Sequence, residues 1–206
     1  LRGTLRFVCG ILSGTMRIFV AGATGVIGVR LVPLLVTAGH DVAAMTRSPQ
    51  KVDSLRALGA HPVVCDVYDT VALREAVTAF RPGRVIHQLT DLPDDRAHVQ
   101  AFRDANSRIR REGTRNLLAA ARAAGAPGIL AQSVAWQFSG DAGAATADLE
   151  RMVLEAGGVV LRYGQFYGPG TYHETAPPPP RIHIDEAARR TVDALAAPTG
   201  VIVIVS

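Results

Sequence analysis

Gly22-Ala23-Thr24-Gly25-Val26-Ile27-Gly28 is the stretch that decides how this chain is read. The short apolar run before it, Arg17-Ile18-Phe19-Val20-Ala21, has the make-up of a buried strand. The segment after it, residues 26–38, carries apolar residues at helical spacing. Strand, glycine-rich turn and helix form the context that a dinucleotide-binding loop requires. Gly22 permits the tight turn. Gly25 lets the backbone approach a pyrophosphate, where a Cβ would collide, and Gly28 lets the helix pack closely on the strand. The helix N-terminus then offers free N–H groups and a partial positive charge to phosphates. The spacing is G-x-x-G-x-x-G rather than G-x-G-x-x-G, so a glycine-rich turn without a ligand is the competing reading. The alternation that follows favours the ligand.

Working outward, strands are predicted over 41–46, 62–65, 84–87, 128–131 and 159–162. Helices are predicted over 49–58, near 71–80, over 106–124 and over 144–156. Residues 91–95 read as a polar loop. Strands alternating with helices indicate βαβ units, hence an α/β, Rossmann-type doubly wound parallel sheet with helices on both faces. The tail differs. Residues 168–181 form a Gly/Pro-rich loop ending in Pro177 to Pro180, a run that suits neither helix nor central strand. A short strand at 181–184, a helix capped by Asp185 and running to Ala197, and a last strand over 201–205 complete the expectation. The substrate region is much reduced.

The chain has 206 residues, enough for one domain that buries roughly 70% of its unfolded surface without a metal or disulfide. Cys9 and Cys65 stand apart, with no C-x-x-C spacing, which points to a reducing, cytoplasmic setting and to no zinc site. The formal charge of +4 is carried by scattered arginines, with no basic run, so no nucleic-acid partner is expected. No segment approaches about 18 consecutive apolar residues, so no membrane span is expected. Residues 1–15 read as a leader or upstream extension, with Met16 the natural start and residues 16–206 a single NAD(P)-binding domain. A homodimer is left open.

Six motifs, in order, give the chain a family resemblance. They are MRIFVAGATGVIG from Met16, Cys65-Asp66-Val67, Val85-Ile86-His87-Gln88, Glu112-Gly113-Thr114-Arg115-Asn116-Leu117-Leu118, and the pair Arg162-Tyr163-Gly164-Gln165-Phe166-Tyr167-Gly168-Pro169-Gly170 with His183-Ile184-Asp185-Glu186-Ala187. Together they resemble the NAD-dependent epimerase/dehydratase family, the extended branch of the short-chain dehydrogenase/reductases. The resemblance implies a cofactor held by Gly22, Thr24, Gly25, Val26, Ile27 and Gly28. It implies Asp66 and Val67 beside the adenine, and Tyr167 and Gly168 beside the nicotinamide. Ser133 matches the family's Ser/Thr that hydrogen-bonds a substrate oxygen. The family's Tyr and, four residues later, Lys should fall near Ala142 and Thr146, and neither residue can do acid–base work. Lys51 is the one lysine in the chain and lies far from that place. Tyr167 or Tyr163, or their neighbours Tyr172 and His173, are the candidate replacements. An unassisted tyrosine titrates near 10, so it donates a proton better than it takes one.

Cofactor identity is argued from charge. An enzyme using NAD places an acid at the end of the second strand, where this chain has Met45-Thr46-Arg47-Ser48. Arg47 with Ser48, and Lys51 behind them, would hold a 2′-phosphate, so NADP is expected and NAD is the alternative. His87 reads as a packed histidine, the pair His183 and Asp185 as a strand-to-helix cap, and Trp136 as either packing or stacking. Asp91, Asp94, Asp95 and His98 read as a solvated loop. The functional expectation is an NADP-preferring oxidoreductase or epimerase-like enzyme acting on a carbonyl or sugar-like small molecule. The second reading is a non-catalytic NAD(P)-binding regulator of the NmrA-like kind, favoured by the missing Tyr/Lys pair.

Overall fold

The computed structural model describes residues 14–206, so the expected leader lies almost wholly outside the described residues. Strand β1 (Arg17–Ala21) sits in the middle of the sheet with Ile18 to Ala21 buried on both faces. Such two-sided burial is what a continuous apolar run achieves in a parallel sheet. Ile18 and Val20 face one helical layer, Phe19 and Ala21 the other, as strand alternation requires. The first layer holds α1 (Gly28–Thr37) and α2 (Val52–Ala57). The second holds α3 (Thr70–Phe80) and, further along the chain, α5 (Thr114–Ala123) and α6 (Gly140–Glu155).

The other strands are β2 (Asp41–Thr46), β3 (His61–Val64), β4 (Arg84–His87), β5 (Ile129–Val134), β6 (Val159–Tyr163) and, at the C-terminal end, β9 (Gly200–Ile204). They form one seven-stranded parallel sheet in the order β3-β2-β1-β4-β5-β6-β9. The order reverses beside β1, whose neighbours are β2 and β4. In open α/β sheets, ligands bind at the carboxyl ends of the strands at such a reversal.

Four details depart from the sequence expectation. The helix expected over 106–124 is three pieces: α4 (Arg103–Arg108), a π-turn (Ile109–Gly113) and then α5. The π-turn brings Ile109, Arg110 and Gly113 inward together. Helix α6 starts earlier than expected, because its glycines conceal it. A Cβ on Gly143 would lie 2.2 Å from the Phe138 carbonyl oxygen, so that position must stay bare.

The tail is less open than expected. Strand β7 (Gln165–Tyr167), absent from the sequence reading, pairs in parallel with β8 (Arg181–His183), Tyr167 opposite His183. The loop between them is largely exposed, but Pro177 is buried and its carbonyl accepts from Arg181. Helix α7 (Ile184–Asp193) packs on the α1 side of the sheet. Its cap is His183, whose Nδ1 accepts from the Asp185 N–H at 3.3 Å; Asp185 is not the capping residue. The Asp185 carboxylate instead accepts from Arg30 Nε at 2.8 Å, and Arg30 also donates to the Pro169 carbonyl. One arginine thus ties α1 to the 168–170 turn.

Candidate functional site

The glycine loop leaves β1 and enters α1 across residues 22–27. Gly22 has φ +89, and a Cβ there would come within 2.6 Å of the Gln88 backbone. At Gly28 a Cβ would sit 2.3 Å from the Gly22 carbonyl oxygen. Both glycines are therefore required by the protein's own packing. Gly25 is different: a Cβ there would meet only the Gly22 oxygen, at 3.4 Å. Nothing among the described residues excludes a side chain at Gly25, which leaves room for something outside them.

The donors around Gly25 agree. Among the described residues, the N–H groups of Val26, Ile27 and Gly28 have no hydrogen-bond acceptor, whereas that of Gly25 donates to Gly22 and that of Val29 to Gly25. The first turn of α1 contains no acid. Three open donors, the positive end of a helix dipole and a bare Gly25 make a cradle for a diphosphate. Thr24 and Thr46 hydroxyls lie 3.2 Å apart, and Thr46 Oγ1 also accepts from the Ser48 N–H, so β1 and β2 loops are held together.

Arg47 projects half-exposed from the end of β2. It is paired, however. Its Nη2 lies 2.7 Å from Asp91 Oδ1, and the Asp91 side chain is only 11% exposed. The sequence reading found no acid at the end of β2. The fold supplies one from the loop after β4. Asp91 also accepts from the Tyr68 hydroxyl, and burial with the Asp91 charge pushes that phenol up to about 12. Asp91 is thus an organising residue rather than part of a solvated loop. Asp66 is exposed and accepts from the Tyr68 N–H; the Val67 carbonyl accepts from Asn116.

At the other end of the row the polar groups are already engaged. Ser133 donates its hydroxyl hydrogen to Glu150 Oε1 at 2.5 Å. The same carboxylate takes Arg162 Nε at 2.9 Å and Nη2 at 2.5 Å. Burial tends to raise the Glu150 pKa, but the hydrogen bonds from Arg162 and Ser133 outweigh it and hold the group below the usual glutamate value. Ser133 as found is therefore not a free donor for a substrate oxygen.

Tyr163 is a core residue, only 2% exposed, and this corrects its candidacy as a proton donor. Its hydroxyl accepts from Gln88 Nε2 at 3.2 Å and donates to Thr191 Oγ1 at 2.6 Å, while Thr191 donates onward to the Ala187 carbonyl. Burial pushes the phenol up to about 12. That chain of bonds fixes the Gln88 amide and leaves its Oε1 buried without a partner. Tyr167 is half-buried, edge-on to His183 with ring centroids 5.2 Å apart, and its hydroxyl has no partner among the described residues. Tyr172 donates to the Pro93 carbonyl, closing the proline-rich loop onto the loop after β4.

His87 is the packed histidine expected. Its Nδ1 accepts from the Leu89 N–H, so Nε2 donates to Thr114 at 2.9 Å. Burial, with Arg110 nearby, lowers its pKa to about 4. Ala142 and Thr146 both lie on α6, and the Thr146 hydroxyl donates to the Ala142 carbonyl at 2.8 Å. Arg110 donates to that hydroxyl at 2.9 Å. Glu150, Asp91, Gln88 and Arg110 were not named as site residues from sequence. Gln88 lay in the quoted motif Val85-Ile86-His87-Gln88 and Asp91 was read as part of a solvated loop, so neither was singled out as a site residue. Among the described residues, no helix is long and apolar enough to cross a membrane.

Comparison with known proteins places these features. Residues 22–155 match the family model for NAD(P)H-binding domains. A 3-diazoavenalumate denitrifying reductase from Streptomyces is 42% identical over 181 residues, covering 76% of this chain and 58% of that protein. A 4-hydroxy-2-methyl-3-oxo-4-farnesyl-3,4-dihydroquinoline-1-oxide ketoreductase from Stigmatella aurantiaca is 34% identical over 107 residues, covering 52% of this chain and 30% of that one. The chain thus spans little more than half the length of the first of these relatives and less than a third of the second. In fold it is similar to the UDP-glucose 4-epimerase of Thermus thermophilus complexed with NAD, with TM-score 0.75, 20% identity, and coverage of 93% of this chain and 78% of that one. It is likewise similar to the UDP-glucose 4-epimerase of Thermotoga maritima, at TM-score 0.76 and 18% identity over 93% of this chain and 77% of that one. The chain belongs to the NAD(P)H-binding family and has the Rossmann-like architecture seen in these two UDP-glucose 4-epimerases.

Proposed function

We propose that this chain is the cofactor-binding body of an NAD(P)H-dependent reductase acting on a carbonyl group of a small molecule, with NADP preferred. The observation that carries the reading is the set of open donors on Val26, Ile27 and Gly28 around the bare Gly25. Buried or half-buried donors without acceptors are costly unless a ligand takes them.

In this reading the pyrophosphate sits on the three N–H groups, the adenine beside Asp66 and Val67, and the 2′-phosphate against Arg47 and Ser48. Tyr167 and Gly168 line the nicotinamide end. Bound there, the reduced nicotinamide supplies hydride. The chain's own residues orient the two partners and handle the proton. Tyr167 is the tyrosine kept as proton donor, since Tyr163 is buried and Tyr172 is tied to Pro93. The names of the two relatives, a reductase and a ketoreductase, support the reaction class.

The engaged Ser133 and the buried Tyr163 favour a second reading, a cofactor-binding protein without turnover. Incubating the purified protein with NADPH and a panel of aldehydes, ketones and quinones separates the two. Slow oxidation of NADPH above background, with reduction faster than the reverse reaction, is expected. Tight NADPH binding with no oxidation on any of them would leave the second reading standing.

A further inference from the structure

Beside the ends of β4 and β5 the hydroxyl and carboxylate groups are largely paired with one another, yet a buried cation there, Arg110, is not. Arg110 lies in the π-turn, 9% exposed. Its neighbours Arg108 and Arg111 pair with Glu112 and Asp148, but Arg110 forms no ion pair among the described residues. Its single hydrogen bond runs from Nη1 to Thr146 Oγ1, and its guanidinium sits over the Phe138 ring at 5.3 Å. Nε and Nη2 are uncommitted. They are not sealed in protein either, because the one fully buried side-chain polar atom lacking a partner among the described residues is Gln88 Oε1.

A guanidinium withdrawn from water without a carboxylate is unfavourable, and burial holds its pKa below the ordinary arginine value with only the Glu150 charge opposing. The fold nevertheless fixes it there with three devices. The π-turn turns it inward, Thr146 clamps one nitrogen, and Phe138 covers one face. π-turns of this kind recur at functional sites because they re-aim a side chain. Arg110 is within Coulombic reach of His87 at the end of β4 and of Glu150, which holds Ser133 at the end of β5. Those strand ends are where a doubly wound sheet places its substrate.

We propose that Arg110 is the electrostatic catalyst of the reductase site, its free N–H groups binding the substrate's carbonyl oxygen and stabilising the negative charge that develops there. The inference rests on the reductase reading above. As the carbonyl carbon accepts hydride, the C–H bond forms and the C=O π pair moves onto the oxygen, where the guanidinium holds it. The oxygen then takes one proton, supplied by water and relayed by Tyr167. The reduced dinucleotide ends oxidised, and Arg110 stays protonated throughout. The preferred substrate is thus an aldehyde, ketone or quinone whose oxygen points at α6, and no assisted tyrosine base is needed.

The test uses the full chain with NADPH and the fastest carbonyl of the panel. Arg110→Met should lower kcat by at least about 100-fold, the loss seen when one oxyanion donor is removed. Its NADPH dissociation constant, by titration calorimetry, should stay within about 2-fold of the unmutated value, as for a group used only in the chemical step. Arg110→Lys should recover most of the loss. Free guanidinium ion should raise the rate of Arg110→Ala, whereas equimolar sodium chloride should not. A merely structural arginine would give neither rescue, and if Arg110→Met misfolds, the Lys and Ala variants carry the decision. Unchanged kcat in Arg110→Met, or loss with no rescue by lysine or guanidinium, overturns the assignment while the reductase reading stands. Absence of turnover in the unmutated protein, with NADPH bound, sinks both.

Discussion

The two ends of the strand row treat their polar groups in opposite ways. At β1 and β2, backbone donors are left open and a glycine holds space that the protein does not use. At β5 and β6, Ser133, Glu150, Arg162, Tyr163 and Thr191 close on one another until almost nothing is left over. An unpaired polar group near a protein interior costs stability, so its persistence marks a place kept for a ligand. A saturated network marks structure. By this measure the nucleotide end is built for binding. The β5 and β6 end is built mainly for rigidity, with Arg110, Gln88 and the Tyr167 hydroxyl as exceptions among the described residues.

The sharpest way to break the comparison is at the two glycines. Gly25→Val should weaken NADPH binding by more than about 100-fold, because losing even one or two charge-assisted contacts of about 1.5–3 kcal/mol each is enough. Its thermal midpoint should hardly move, since a Cβ there meets only one atom, at 3.4 Å. Gly28→Ala should do the reverse in the free protein. Its Cβ would lie 2.3 Å from backbone, so the midpoint should fall even without cofactor. If Gly25→Val binds NADPH normally, the pyrophosphate lies elsewhere and the open donors need another explanation.

The saturated end is tested through stability. Glu150→Gln removes the charge and one of the two acceptor oxygens, so Arg162 loses its ionic partner and one of its two acceptors. Loss of one partner of a well-buried pair costs about 3–5 kcal/mol. Here the Arg162 side chain is 41% exposed and water replaces part of the interaction, so about 2 kcal/mol is expected for Glu150→Gln. The folded-state pKa of Glu150 is depressed, so its contribution is fully present above the unfolded glutamate value of about 4.3. It is lost as pH falls through the lower folded value. Urea midpoints of the two proteins should therefore differ at about pH 7 and converge as pH falls below the unfolded glutamate value of about 4.3. A gap that stays constant across that range would mean that packing, not the carboxylate's charge, is what the substitution removes.

Much of this was legible in the sequence where one local pattern decides the outcome. The apolar runs at β1, β2 and β4, each followed by turn chemistry, were readable because a strand buried on both faces needs no partner to identify it. The glycine loop was readable because Gly22 and Gly28 answer local steric demands. The π-turn was not, since an extra residue in a helical turn leaves the apolar period nearly unchanged. Nor was the start of α6, where Gly140 and Gly143 argue locally against helix; the contact with Phe138 explains Gly143, and a φ of +62 explains Gly140. Tyr163 and Tyr167 are four residues apart with similar surroundings in the sequence. Only the α7 layer, with Thr191, shows that one is core and the other not. Asp91 escaped because its partner Arg47 is 44 residues away.

That last pair gives the smallest expected effect and the finest division between the two ends. An acid beside the ribose end would favour NAD, and an arginine would favour NADP. Here they touch, and which one the ligand meets depends on what separating them costs. The pair is exposed on the arginine side, and such pairs contribute roughly 0.2–1 kcal/mol. A charge-assisted contact from Arg47 to a 2′-phosphate is worth roughly 1.5–3 kcal/mol. Opening the pair is therefore the lesser term, and NADPH should still bind about 10-fold more tightly than NADH. Arg47→Ala should erase that preference. Asp91→Asn should widen it by about 2–5-fold, because the phosphate no longer competes with a carboxylate for the guanidinium. The Asp91 N–H bond to Asn106 survives that substitution, so the loop after β4 keeps its anchor and the change reads out charge alone. Calorimetric titrations of the three proteins with both dinucleotides decide it. If the unmutated protein binds NADPH and NADH equally and Asp91→Asn leaves them equal, Arg47 serves the loop and not the cofactor.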